Sequence, residues 1–115
     1  MQIKRIGGQD VEIFFGEVFL DKQALKDEGI NYPIKLEYYK KVNENKTTEI
    51  NKPKYGINIV KKEYKNNKIK VENKLIKYLS NDEARVNYML KKLKENDVTP
   101  VELDDVICDF AKQIL

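Results

Sequence analysis

Cys108 is the single thiol of the chain and its one side chain with intrinsic nucleophilic reactivity. Its neighbour is Asp109, not the cation or His that activates a thiol. No His occurs in the 115 residues, which removes the commonest general base and the commonest zinc ligand. A lone Cys also excludes an intrachain disulfide and every multi-thiolate metal site. Cys108 therefore reads as a part-buried structural thiol at the margin of a helix's core face. Asp105 and Asp109, four residues apart beside Glu102 and Asp104, could share a hard cation. Magnesium usually needs carboxylates converging from separate elements, or substrate phosphates, so this cluster reads as a solvated helix face. Gly7-Gly8 is too short to cradle a phosphate, no Lys-Ser/Thr pair follows it, and it reads as a turn. No catalytic, cofactor-binding or metal-ligating residue is assigned, no cofactor is expected, and the chain is expected not to be an enzyme.

Two surface features hold more functional content. The first is basic. Residues 35–77 carry 13 Lys and 5 Glu, whereas residues 1–34 are net −2 and residues 78–115 net −3. If Ile57, Ile59, Ile69 and Val71 face the helices, then Lys54, Lys62, Lys68, Lys70 and Lys74 project from the opposite face as an anion-binding surface. Tyr39 could offer a stacking ring to a nucleic acid there. Against that stand the presence of only two Arg, since Arg is the preferred fork for phosphates and bases, and the lack of an RNP-type aromatic pair. Glu37, Glu63 and Glu72 also interrupt the patch, and opposite charges could simply draw sheet and helices together. The second feature is apolar. Val11–Leu20 holds three Phe, and Phe14, Phe15, Val18 and Phe19 are the residues expected to meet another protein or a second copy of the chain.

The elements that must position these residues follow from periodicity. Ser80-Asn81-Asp82-Glu83 has the form of a capping box, and Val86, Met89, Leu90 and Leu93 recur at helical spacing, predicting a helix over 81–95. Asn96-Asp97 ends it. Thr99-Pro100-Val101-Glu102 repeats the start signal, and Leu103, Val106, Ile107, Phe110 and Ile114 form the stripe of a second helix over 100–113. Alternation around Ile34–Tyr38, Tyr55–Ile59 and Ile69–Leu75 predicts three antiparallel strands. Asn66-Asn67 suits a tight hairpin turn, and Asn43–Pro53 reads as a mobile loop. Residues 11–20 fit either a helical stripe or a strand buried on both faces. Aromatic and β-branched content favours the strand, paired with residues 2–6 through a turn at 7–10. Asp21 looks like the cap of a short helix ending at Gly29.

The expected fold is α+β: an antiparallel β-meander of at least three strands, packed on one face by two C-terminal helices, with an N-terminal hairpin or helix extension. One domain spans 1–115, comprising the extension (1–32), the strands (33–77) and the helical pair (80–115). No apolar run approaches the ~20 residues needed to cross a bilayer. The basic start lacks a long apolar stretch and cleavage site, so a cytoplasmic address is expected, with no membrane partner.

From Leu36 to Phe110 the order of features resembles a known pattern. It consists of two Tyr in a first strand, Tyr55-Gly56-Ile57 in a second, a Lys-rich hairpin, the Ser80 cap, and Thr99-Pro100-Val101-Glu102-Leu103 before Val106-Ile107-Cys108-Asp109-Phe110. This is similar to a family of small uncharacterised proteins from clostridia and related Firmicutes, a domain of unknown function, over about residues 36–110. The first 32 residues fall outside the resemblance. It implies a small bacterial regulatory or accessory protein and supplies no site residue. The function expected is a non-enzymatic protein-interaction module, with weak nucleic-acid binding through the lysine face as the alternative.

Overall fold

Runs of β-branched and aromatic residues alternate with polar ones, and each such run is a strand. The computed structural model describes residues 3–6, 10–21, 29–43 and 52–114. Its strands are β1 (Ile3–Ile6), β2 (Asp10–Leu20), β3 (Ile34–Val42), β4 (Tyr55–Lys65) and β5 (Lys68–Ser80). Helix α1 (Glu83–Glu95), a 3-10 turn (Pro100–Glu102) and helix α2 (Leu103–Ile114) follow. The sheet runs β1-β2-β3-β4-β5, each strand antiparallel to its neighbour in sequence. The α+β meander is therefore present, extended to five strands, and the N-terminal segment is a hairpin and not a helix. The expected turn at Gly7-Gly8, the short helix after Asp21 and most of the Asn43–Pro53 loop lie outside the described residues.

One face of the sheet carries the core. Ile34, Leu36 and Tyr38 of β3 and Ile57 and Ile59 of β4 pack against Val86, Met89, Leu90 and Leu93 of α1, with Val98 and Leu103. Helix α1 touches β2, β3, β4 and β5, and the 3-10 turn touches β4 and β5. Tyr38 is fully buried, and its hydroxyl donates to the Val98 carbonyl at 2.9 Å, so the loop between the helices is tied to the sheet centre. That burial, aided by the charges of Asp97 and Glu102, holds the Tyr38 phenol well above its ordinary pKa.

Local signals are resolved in different ways. The Asp82 carboxylate, not Ser80, caps α1 by accepting the Arg85 amide at 3.2 Å. Ser80 ends β5 and accepts the Asp82 amide, while Glu83 is drawn into an ion pair with Lys40 at 2.7 Å. The second signal works as expected: Glu102 accepts both the Thr99 amide and the Thr99 hydroxyl. Asn66 and Asn67 both take positive φ (52° and 62°), the conformation a two-residue hairpin turn requires. Gly56 sits where β4 and β5 lose register, and a Cβ there would collide with the backbone of Ile76 and Lys77.

Candidate functional site

No described helix or strand lies over the opposite face of the sheet. Its side chains come from the residues between the core positions, and the central ones are charged. Glu12 (4% exposed), Glu37 (6%), Lys41 (3%) and Asn58 (8%) are all buried there. Placing so many ionic and amide groups inside requires each to be partnered. Glu37 is the hub. It takes Lys62 at 3.2 Å and Lys35 at 3.3 Å on one carboxylate oxygen, and the Tyr39 hydroxyl at 3.1 Å on the other. Lys35 extends the row to Glu17 at 3.0 Å. A second chain of bonds runs Asn73 to Asn58 (3.3 Å) and Asn58 to Glu12 (2.6 Å), crossing three strands.

The electrostatics of this face favour fixed charge over proton transfer. Burial alone would raise the Glu37 pKa, but hydrogen bonds from Lys62, Tyr39 and Lys35, with the charge of Lys62, hold it below the usual carboxylate range. Burial and the Glu37 charge push Tyr39 up to about 12. The hydrogen bond to Glu17 holds Lys35 above its ordinary value, against the effect of burial. Each of these groups is thus locked into its neutral-pH state. Between them lies a cavity of about 460 Å³, floored by the polar residues and walled by Val60, Val71 and Leu75. A smaller one of about 240 Å³ lies between the helices, where Tyr88 and Phe110 meet edge to face.

The five predicted lysines do not share a face. Because Lys65 pairs with Lys68 across a two-residue turn, odd residues of β4 oppose even residues of β5: Ile57 meets Ile76 and Ile59 meets Lys74. Lys68, Lys70 and Lys74 therefore lie on the helix-bearing side, and Ile69 and Val71 on the open side, the reverse of the expectation. Lys74 pairs with Asp104 at 3.3 Å and Lys70 with Glu72 at 3.5 Å. Only Lys62 of the five stands on the open face, paired with Glu37, and Lys54 precedes β4. Sheet and helices do attract each other, through the Lys40–Glu83 and Lys74–Asp104 pairs.

The apolar segment is also divided. A bulge between Phe14 and Gly16 shifts the register of β2, so Val18 and Leu20 join the core while Phe14 turns to the open face. Phe14 packs edge to face on Tyr39, with ring centroids 5.7 Å apart. Phe15 sits at the bulge, half exposed, and Phe19 is 61% exposed. Cys108 is exposed, not part-buried, and no cluster of three metal-ligating side chains occurs among the described residues. Sequence reasoning missed Glu12, Glu37, Lys41, Asn58 and Asn73 because charged strand positions normally signal solvent.

A family model described as a family of unknown function, DUF6514, matches residues 17–113. The chain belongs to that family. The DUF6514 region begins within β2 and so includes part of the segment that looked like an extension. No curated protein and no solved structure matches the chain. No helix among the described residues is long and apolar enough to cross a membrane.

Proposed function

We propose that this DUF6514 protein is a non-enzymatic protein-interaction module, cytoplasmic in keeping with its lone thiol, that receives its partner on the open face of the sheet. One observation carries the reading. Ile69, Val71 and Leu75 of β5 point to that face with 59%, 57% and 40% of their surface exposed. A row of exposed β-branched and aliphatic residues, beside a polar cavity, is the kind of surface that partners cover. The ionic floor would fix register and specificity, and the apolar row would supply the driving force. Among the described groups of the cavity, those with altered pKa values are held away from neutrality, which favours binding over acid–base catalysis. The pairing of Lys62, Lys70 and Lys74 with carboxylates weighs against nucleic acid.

A photo-crosslinking amino acid at Leu75 tests this in cells making the protein. A discrete protein adduct is expected from Leu75 and none from the same group at Ala84, exposed on α1. Val71→Lys should abolish the adduct while leaving the thermal midpoint unchanged. Absence of any adduct from Leu75, or equal adducts from both positions, would overturn the reading.

A further inference from the structure

Strand β5 is bonded to β4 on one side, and no described strand pairs with its other side. Its 13 residues present a row of backbone donors and acceptors onto which another strand can add. From Lys68 to Ile76 the even-numbered side chains of β5 lie on the helix-bearing face and the odd-numbered ones on the open face; beyond Ile76 the register with β4 shifts and Leu79 joins the core. A second copy joined edge to edge, about a two-fold axis perpendicular to the sheet, keeps those faces matched. Its β5 then runs antiparallel to the first, pairing even residues with even and odd with odd.

Side-chain charge selects among the registers this allows. Centring on Glu72 opposes Glu72 to itself and Lys70 to Lys74. Centring on Val71 opposes Lys68 to Lys74, and centring on Lys74 opposes that lysine to itself. Centring on Leu75 avoids like charges but forms no ion pair. Centring on Asn73 sets Glu72 against the partner's Lys74, and Lys74 against the partner's Glu72, on one face. On the other face it sets Val71 against the partner's Leu75 and the reverse, joining apolar side chains that are 57% and 40% exposed. No lysine meets a lysine within the regular part of the strand, where Lys70 faces the partner's Ile76. The present contacts of Lys74 with Asp104 and of Lys70 with Glu72 join groups with 41–72% of their side-chain surface exposed, and such pairs exchange readily.

We infer that β5 pairs with β5 of a second copy of this chain in the register centred on Asn73, making one continuous sheet of two five-stranded halves. The inference rests on the interaction reading above and names its occupant. Sedimentation velocity on the full chain across a concentration series tests it. The wild type should dimerise, and Glu72→Lys or Lys74→Glu alone should weaken the dimer by about tenfold or more. An equimolar mixture of the two variants should restore it, because each then faces the complementary charge. Lys91→Glu on α1 should change nothing. Should a variant fold poorly, amide exchange on the wild type decides, with every second amide from 69 to 77 slowing as concentration rises. A strict monomer, a dimer indifferent to the single changes, or a mixture that fails to recover overturns the inference. A monomer that still cross-links through Leu75 to another protein overturns self-pairing alone; one that gives no adduct overturns both proposals.

Discussion

On the helix-bearing face, Leu36, Tyr38, Ile57 and Ile59 are sealed beneath α1. On the other face the same two strands present Glu37, Tyr39, Lys41 and Asn58, three of them buried charged or amide groups, with Glu37 bonded to Tyr39 and Lys62 and Asn58 to Glu12. The first face is organised by exclusion of water and the second by satisfaction of charge. Burial of apolar surface is non-directional and additive, so it supplies stability. A buried ion network is roughly neutral in stability against an apolar replacement, but it is exacting in geometry. A protein that spends its central strands this way gains a surface of defined shape and charge pattern. Stability and recognition are thus separated by nothing more than residue parity.

Breaking the covered face should have the largest effect. Leu90 is fully buried under the sheet centre, and Leu90→Ala should cost about 3 kcal/mol in a denaturant titration by lost transfer energy and a cavity. Glu37→Gln should instead reveal itself through pH. The folded carboxyl has a lowered pKa, so the unfolded state takes up the proton first as acid is added. Its contribution is complete above the unfolded value of about 4.3 and is lost as pH falls through the folded value. Thermal midpoints measured between pH 6 and 3 should fall less steeply for Glu37→Gln than for the wild type. Tyr38→Phe is the mildest change, because the ring stays packed and only the bond to Val98 is lost. It should cost about 1 kcal/mol by the same titration. If Leu90→Ala and Glu37→Gln gave indistinguishable pH profiles of stability, the division between the faces would fail.

The helices, the meander and the Asn66-Asn67 turn were legible in the sequence because each is a local pattern. The inverted faces of β5 are more instructive. Two turn residues between Lys65 and Lys68 already dictate that facing residues differ in parity, so Ile69 and Val71 had to oppose Ile57 and Ile59 across the sheet plane. Hydrophobicity argued otherwise and was wrong, since the β5 residues paired beside Ile57 and Ile59 are Ile76 and Lys74. The bulge at Phe14–Gly16 left no local mark beyond a glycine, and without it Val18 could not be assigned to the core. The polar floor was hidden for another reason. Glu12, Glu37 and Asn58 become a cluster only when three strands align, and no pattern within one strand records that.

The order of strands in the sheet matches their order in the chain, and the helices that cover it come last. During synthesis Ile34, Leu36, Tyr38, Ile57 and Ile59 leave the ribosome before Val86 or Leu90 exists to cover them. Each new strand can add at once to its predecessor, because every pairing joins sequence neighbours. The sheet can therefore form early with its apolar side bare, and that side stays bare until α1 has emerged. For this chain the interval between completing β5 and docking α1 is the moment of greatest exposure to misassociation.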